Sequence, residues 1–143
     1  MSKFTKAVEF KLSDEAALDQ VQILTGFYGI DPDAKSNPEA GEATETLLTD
    51  LHRFVRLGWV EINTDASVVQ HLQSPPGEVD KIKYRRINGN DTIAATRGGK
   101  EGEWNSKLFA LLSAVGDVGD GVRKLTGPDL KVAEVLGALF FSR

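Results

Sequence analysis

Residues 81–97 read KIKYRRINGNDTIAATR. Lys81, Lys83 and Arg85 alternate with Ile82 and Tyr84, the period of a strand with one wet face and one buried face. Asn88-Gly89 then interrupts the run. Asn-Gly is the strongest short hairpin signal, because both central residues of a type I′ turn need positive φ. The stretch is therefore expected to form a β-hairpin over about 81–97, with Gly89-Asn90 as an alternative turn centre. Arg86 and Ile87 break the alternation, which predicts a bulge or added twist beside the turn.

Upstream, Phe4, Val8, Phe10 and Leu12, with Lys6 the exception on their face, alternate with Thr5, Ala7, Glu9 and Lys11, predicting a half-buried strand over 4–12. Ser13 suits an N-cap, and Asp14 and Glu15 fall in the first turn, where the helix dipole favours anions. Leu18, Val21, Leu24 (or Thr25) and Tyr28 sit at helical spacing, so a helix is expected over 13–28. GIDPDAKSNPEAG at 29–41 reads as a loop, with Pro38 placed to open the next helix. From about Glu42, the stripe Leu47, Leu48, Leu51, Phe54 and Val55 predicts that helix, and Gly58 suits the position after it. Trp59–Ile62 reads as a short strand. Asp65–Leu72 reads as one or two helical turns, ended by Ser74-Pro75-Pro76-Gly77.

Beyond the ribbon, Gly98–Gly102 is a loop and Glu103–Val115 is helical. GDVGDG at 116–121 breaks that helix, and a short turn is expected at Val122–Leu125. Thr126-Gly127-Pro128 then starts a last helix, with Pro128 at its first position. Strands at the start, in the middle and as a hairpin, with helices between and after, predict an α+β fold: a small antiparallel or mixed sheet covered by about four helices. Residues 1–143 are expected to form a single domain. A winged helix also carries a terminal hairpin, but here two helices follow it, and the helix at 42–57 offers only His52, Arg53 and Arg56 as positive groups.

A chain of 143 residues buries enough surface to fold without metal or disulfide, and with no Cys it has neither a disulfide nor a thiolate site. The first residues lack an apolar signal core, and no apolar run is long enough to span a bilayer, so the expectation is a cytoplasmic protein that makes no membrane contact. Net charge is −4. Residues 1–50 carry four Lys against ten acidic residues, while residues 51–97 carry seven basic against five acidic. Such asymmetry suits head-to-tail contact between copies, although scattered solvated charge gives the same count. The overall acidity argues against a dedicated duplex-DNA binder.

The ribbon is the first candidate for recognition. Lys81, Lys83, Arg85 and Arg86, with Arg97 and Lys100 just beyond, offer cations for phosphates or an acidic protein patch. The plainer reading is the solvated face of a sheet, where Lys and Arg also guard an edge. Tyr84 shares its face with Ile82 and is expected in the core. GDVGDG brings Asp117 and Asp120 together but lacks EF-hand spacing, and its carboxylates would repel phosphate, so it reads as a helix break. Gly98-Gly99-Lys100 fails as a phosphate loop, because Glu101 stands where Ser or Thr should hold magnesium. His52 and His71 have no accompanying zinc motif or nucleophile signature. At the C-terminus, Leu136, Leu139, Phe140 and Phe141 cover more than one helix face, which suits docking on the sheet or an interface with another copy or partner.

With no catalytic constellation visible, the expected function is a non-enzymatic protein-interaction or assembly module without cofactor or metal. It would bind a protein partner or self-associate as a homo-oligomer. Small acidic Cys-free domains occur among phage structural and accessory proteins, an analogy of size and composition alone. The alternative is nucleotide or single-stranded nucleic-acid binding through the basic hairpin.

Overall fold

A computed structural model of the chain describes residues 9–30, 38–91 and 104–141; the side chains of residues 38–41, 104–108, 120 and 141 fall outside the description. The arrangement is α+β, a three-stranded antiparallel sheet packed with helices.

Helix α1 spans Asp14–Tyr28, and the Ser13 hydroxyl accepts the Ala16 N–H at 3.1 Å as its N-cap. The helix ends at Gly29, whose φ of 65° lets its N–H reach the Thr25 carbonyl. Helix α2 spans Pro38–Leu57, so it starts at the expected proline, ahead of the apolar stripe. Residues 9–12 are not a strand: the Lys11 and Leu12 N–H groups both donate to the Arg56 carbonyl, at 2.7 and 3.1 Å. They cap the end of α2 instead of pairing with the sheet, while the remainder of the expected strand, 4–8, lies outside the described residues.

Strand β1 spans Val60–Ile62 and strand β2 spans Val68–His71, where helical turns were expected. The loop between them explains the difference. Asn63 N–H donates to the Ser67 carbonyl and Ala66 N–H to the Asn63 carbonyl, both at 2.9 Å, closing a tight hairpin. Ala66 takes the left-handed conformation, φ 69°, that Gly usually marks in such a loop. Strand β3 spans Lys81–Tyr84 and pairs antiparallel with β2, Gln70 opposite Ile82 and Val68 opposite Tyr84. The order is β1-β2-β3.

The ribbon thus has its strand at 81–84, but its hairpin partner precedes it, across the 72–80 loop. At Asn88-Gly89 no two-residue turn forms, and residues 89–91 are helical. Asn88 Oδ1 accepts the Asp91 N–H at 3.2 Å while the Asp91 carboxylate accepts the Asn88 N–H at 2.8 Å, a reciprocal helix cap. Asn serves either structure; the acidic residue three positions on decides for the cap. The return strand expected at 92–97 lies outside the described residues.

Helix α3 spans Trp104–Val115, a 3-10 helix spans Gly119–Lys124, and helix α4 spans Gly127–Phe141. Gly116 lies against β3: a Cβ there would stand 3.0 Å from the Leu112 carbonyl oxygen and 3.2 Å from Ile82 Cγ2. Any larger residue would crowd these neighbours, so glycine suits the close approach of the chain to β3. The core gathers Val60, Ile62, Val68, Ile82 and Tyr84 from the sheet with Leu24, Leu51, Val55, Leu112, Leu136 and Phe140 from the helices. Within it, Gln70 is fully buried, donating to the Asp129 carbonyl at 2.8 Å and accepting from the Tyr84 hydroxyl at 2.9 Å. The buried Asp129 carboxylate accepts the Gln73 and Ser74 N–H groups at 2.7 and 2.8 Å, tying the 72–80 loop to the start of α4.

Candidate functional site

In the ribbon, Lys81 and Lys83 alternate with buried Ile82 and Tyr84 and project from the open face of the sheet. Lys83 lies opposite Val69, itself opposite Glu61, and Lys81 lies opposite His71. His71 Nε2 stands 3.5 Å from a Glu61 carboxylate oxygen. Arg85 departs from the expected set. Its guanidinium grips Asp91 through two bonds of 2.7 and 2.8 Å, and the pair holds the Asp91 carboxyl below its ordinary pKa and raises that of Arg85. Arg86 lies 5.4 Å from the centre of the Phe27 ring and contributes to the field that lowers the pKa of Asp65, which is set chiefly by its bonds to Ser67. Among the described residues Lys81, Lys83 and Arg86 thus have no ion pair, Arg86 lying instead over the Phe27 ring, so Lys81 and Lys83 are the ion-pair-free cations on the strand itself. Arg97 and Lys100 lie outside the described residues.

The GDVGDG segment closes the outer edge of β3. Lys83 N–H donates to the Asp117 carboxylate at 2.9 Å, Asp117 N–H donates back to the Lys83 carbonyl at 3.1 Å, and Arg85 N–H donates to the Val115 carbonyl at 3.0 Å. Asp117 is thereby a sheet-edge fastener. The opposite edge is met by α1, where Gln20 Oε1 accepts the Ile62 N–H at 2.9 Å. Neither edge offers a long row of unpaired backbone for an added strand.

His52 joins helix ends, with Nε2 3.1 Å from the Asp14 carbonyl oxygen. Arg56 reaches the same place, its Nε donating to the Leu12 carbonyl at 3.3 Å while its guanidinium lies 3.9 Å from the centre of the Phe10 ring. His52 and His71 serve separate elements. The expected interface residues Leu136, Leu139 and Phe140 are core residues, at most 3% exposed. The Phe140 ring packs 6.1 Å from Tyr28 and 6.4 Å from Tyr84. A helix apolar nearly all round is here wrapped by its own chain on several sides, so these three side chains give the surface no apolar contact. The Phe141 side chain lies outside the described residues.

What the sequence reading missed is a groove of about 630 Å³ between α1 and α2, lined by Leu18, Val21, Ile30 and Leu48 with Asp14, Glu15, Gln22, Thr25, Glu45, Thr49 and His52. The buried face of α1 keeps Val21 and Leu24 from the expected stripe but takes Ala17 in place of Leu18, which remains 46% exposed beside it. Acidic side chains stand on both walls. No cation among the described residues lies within ion-pair reach of Glu15 or Glu45, whereas Asp14 faces His52 and Arg56 at 3.6 and 3.5 Å. The signal available in sequence was the surplus: Ala17 and Leu18 both suit a helix interior, and one helix face cannot bury both stripes.

No protein-family model, curated protein or solved structure matches the chain. Among the described residues no helix is long and apolar enough to cross a membrane.

Proposed function

We propose that the chain is a non-enzymatic protein-interaction or assembly module that docks through the α1/α2 groove. The observation that carries this reading is the half-exposed Leu18 in an apolar trough between two helices, the geometry that takes a partner's apolar side chains. The clusters with chemical potential are meanwhile engaged in holding the fold: Asp117 at the sheet edge, Asp129 under the 72–80 loop, Arg85 with Asp91, and His52 at a helix junction.

A photo-crosslinking residue at position 18, compared with one at position 83, tests the reading in cells that produce the protein. The expected result is a discrete protein adduct at position 18 that disappears with Leu48→Glu. Adducts formed only at position 83 would overturn the assignment of the groove.

A second reading, nucleotide or single-stranded nucleic-acid binding, draws on Lys81 and Lys83, two ion-pair-free cations on one face of a strand. It predicts oligonucleotide binding that weakens with salt and is lost on Lys83→Glu. Arg85 is withdrawn from that surface by Asp91.

A further inference from the structure

We infer that the groove between α1 and α2 receives a cationic amphipathic helix of roughly three turns from a partner protein, an inference that rests on the docking reading above. The wall on α1 runs from Asp14 to Thr25, eleven residue steps and therefore about 17 Å at 1.5 Å per residue. That length matches an occupant helix of about eleven residues, with apolar anchors at i, i+3 or i+4, and i+7 entering between Leu18, Val21 and Leu48.

Charge complementarity selects the outer positions of the occupant. Asp14 and Glu15 rim the groove from α1 and Glu45 rims it from α2. The acidic surface continues along α2 into a neighbouring hollow lined by Glu42, Glu45, Thr46, Thr49 and Asp50. Among the described residues His52 is the one basic group in the groove lining, while Arg53 and Arg56 lie over the Phe10 ring. His52 and Arg56 also stand 3.6 and 3.5 Å from Asp14, so Glu15 and Glu45 are the rim carboxylates left without a cation among the described residues. Lys or Arg flanking the apolar anchors would meet carboxylates on both walls, whereas a nucleic acid or an acidic helix would be repelled. A second copy of this chain offers a poorer occupant. Its ion-pair-free strand cations, Lys81 and Lys83, lie on a sheet face opposite His71 and Val69, not along one face of an amphipathic helix.

The test titrates three 15-residue helical peptides into the full-length protein labelled for amide NMR. The peptides share the same Leu anchors and carry Lys, Gln or Glu at the outer positions. The Lys peptide is expected to bind most tightly and to shift the amide signals of Leu18, Val21, Leu48 and Thr49. The double reversal Glu15→Lys with Glu45→Lys should weaken it by about tenfold and improve binding of the Glu peptide. Glu134→Lys changes net charge from an exposed site on α4, outside the groove lining, and should leave affinity within about twofold. Equal binding of the Lys and Gln peptides would overturn the cationic occupant while leaving the groove a docking site. No groove shifts with any peptide would overturn both claims. Groove shifts that grow with protein concentration alone would assign the groove to a second copy and overturn the partner helix.

Discussion

Removing one oxygen from the core tests whether its polar network fastens the sheet to α4. Tyr84→Phe takes away the hydroxyl that donates to Gln70 Oε1 at 2.9 Å and leaves that acceptor fully buried without a donor. A buried polar group left unpaired costs about 1–3 kcal/mol, more than the net value of the bond itself. Gln70→Leu should cost a similar amount, because it strands the Tyr84 hydroxyl and removes the 2.8 Å bond from Gln70 Nε2 to the Asp129 carbonyl. The double variant puts apolar groups at both positions and strands neither. Its cost should therefore fall short of the sum of the single variants by about 1–2 kcal/mol. Urea unfolding followed by circular dichroism measures each value as a shift in midpoint at constant slope, and about 1 kcal/mol corresponds to roughly 4 °C in Tm. A Tyr84→Phe protein as stable as the parent, or strictly additive single variants, would refute the reasoning and reduce the Tyr84 hydroxyl to a bystander.

Burial, aided by Asp117, raises the Tyr84 pKa well above its ordinary value of 10. Above that pH the unfolded chain loses a proton that the folded chain keeps, so stability should fall as pH rises, and Tyr84→Phe should flatten the decline in alkaline unfolding curves. The Asp91 pKa is lowered by Arg85, so its contribution is present above the ordinary carboxylate pKa and is lost as pH falls through the lowered folded value. Asp91→Asn should cost about 1 kcal/mol at neutral pH, allowing for the half-exposed Arg85, and the difference from the parent should vanish in acid denaturation curves.

The helices were legible because their signals are local. Ser13 caps α1, Pro38 opens α2, and Gly58, at φ 79°, closes it in the left-handed conformation. β2 was illegible for an equally local reason. Its hairpin loop puts Ala66 where glycine would have signalled a turn, and Val68-Val69-Gln70-His71-Leu72 is too short to separate period 2 from 3.6. Asn88-Gly89 erred the opposite way, as a strong turn signal overridden by Asp91 three residues later. Gln70 carried no sequence mark of burial, because its two partners, Tyr84 and Asp129, are 14 and 59 residues away.

The groove was hidden because burial on α1 is decided by β1 as well as by α2. Gln20 bonds the Ile62 N–H, and Ala17, Val21 and Leu24 face inward, which fixes the rotation of α1 and leaves Leu18 beside the trough. Asp14, at one end of the trough, is held by His52 and Arg56. The walls are thus set by contacts independent of any occupant. A partner entering such a trough need not order it, so the cost of binding falls mainly on the partner. This is why the peptide series varies charge on a common apolar face: with the walls already formed, a difference between Lys and Gln reports the acidic rim rather than refolding of the groove.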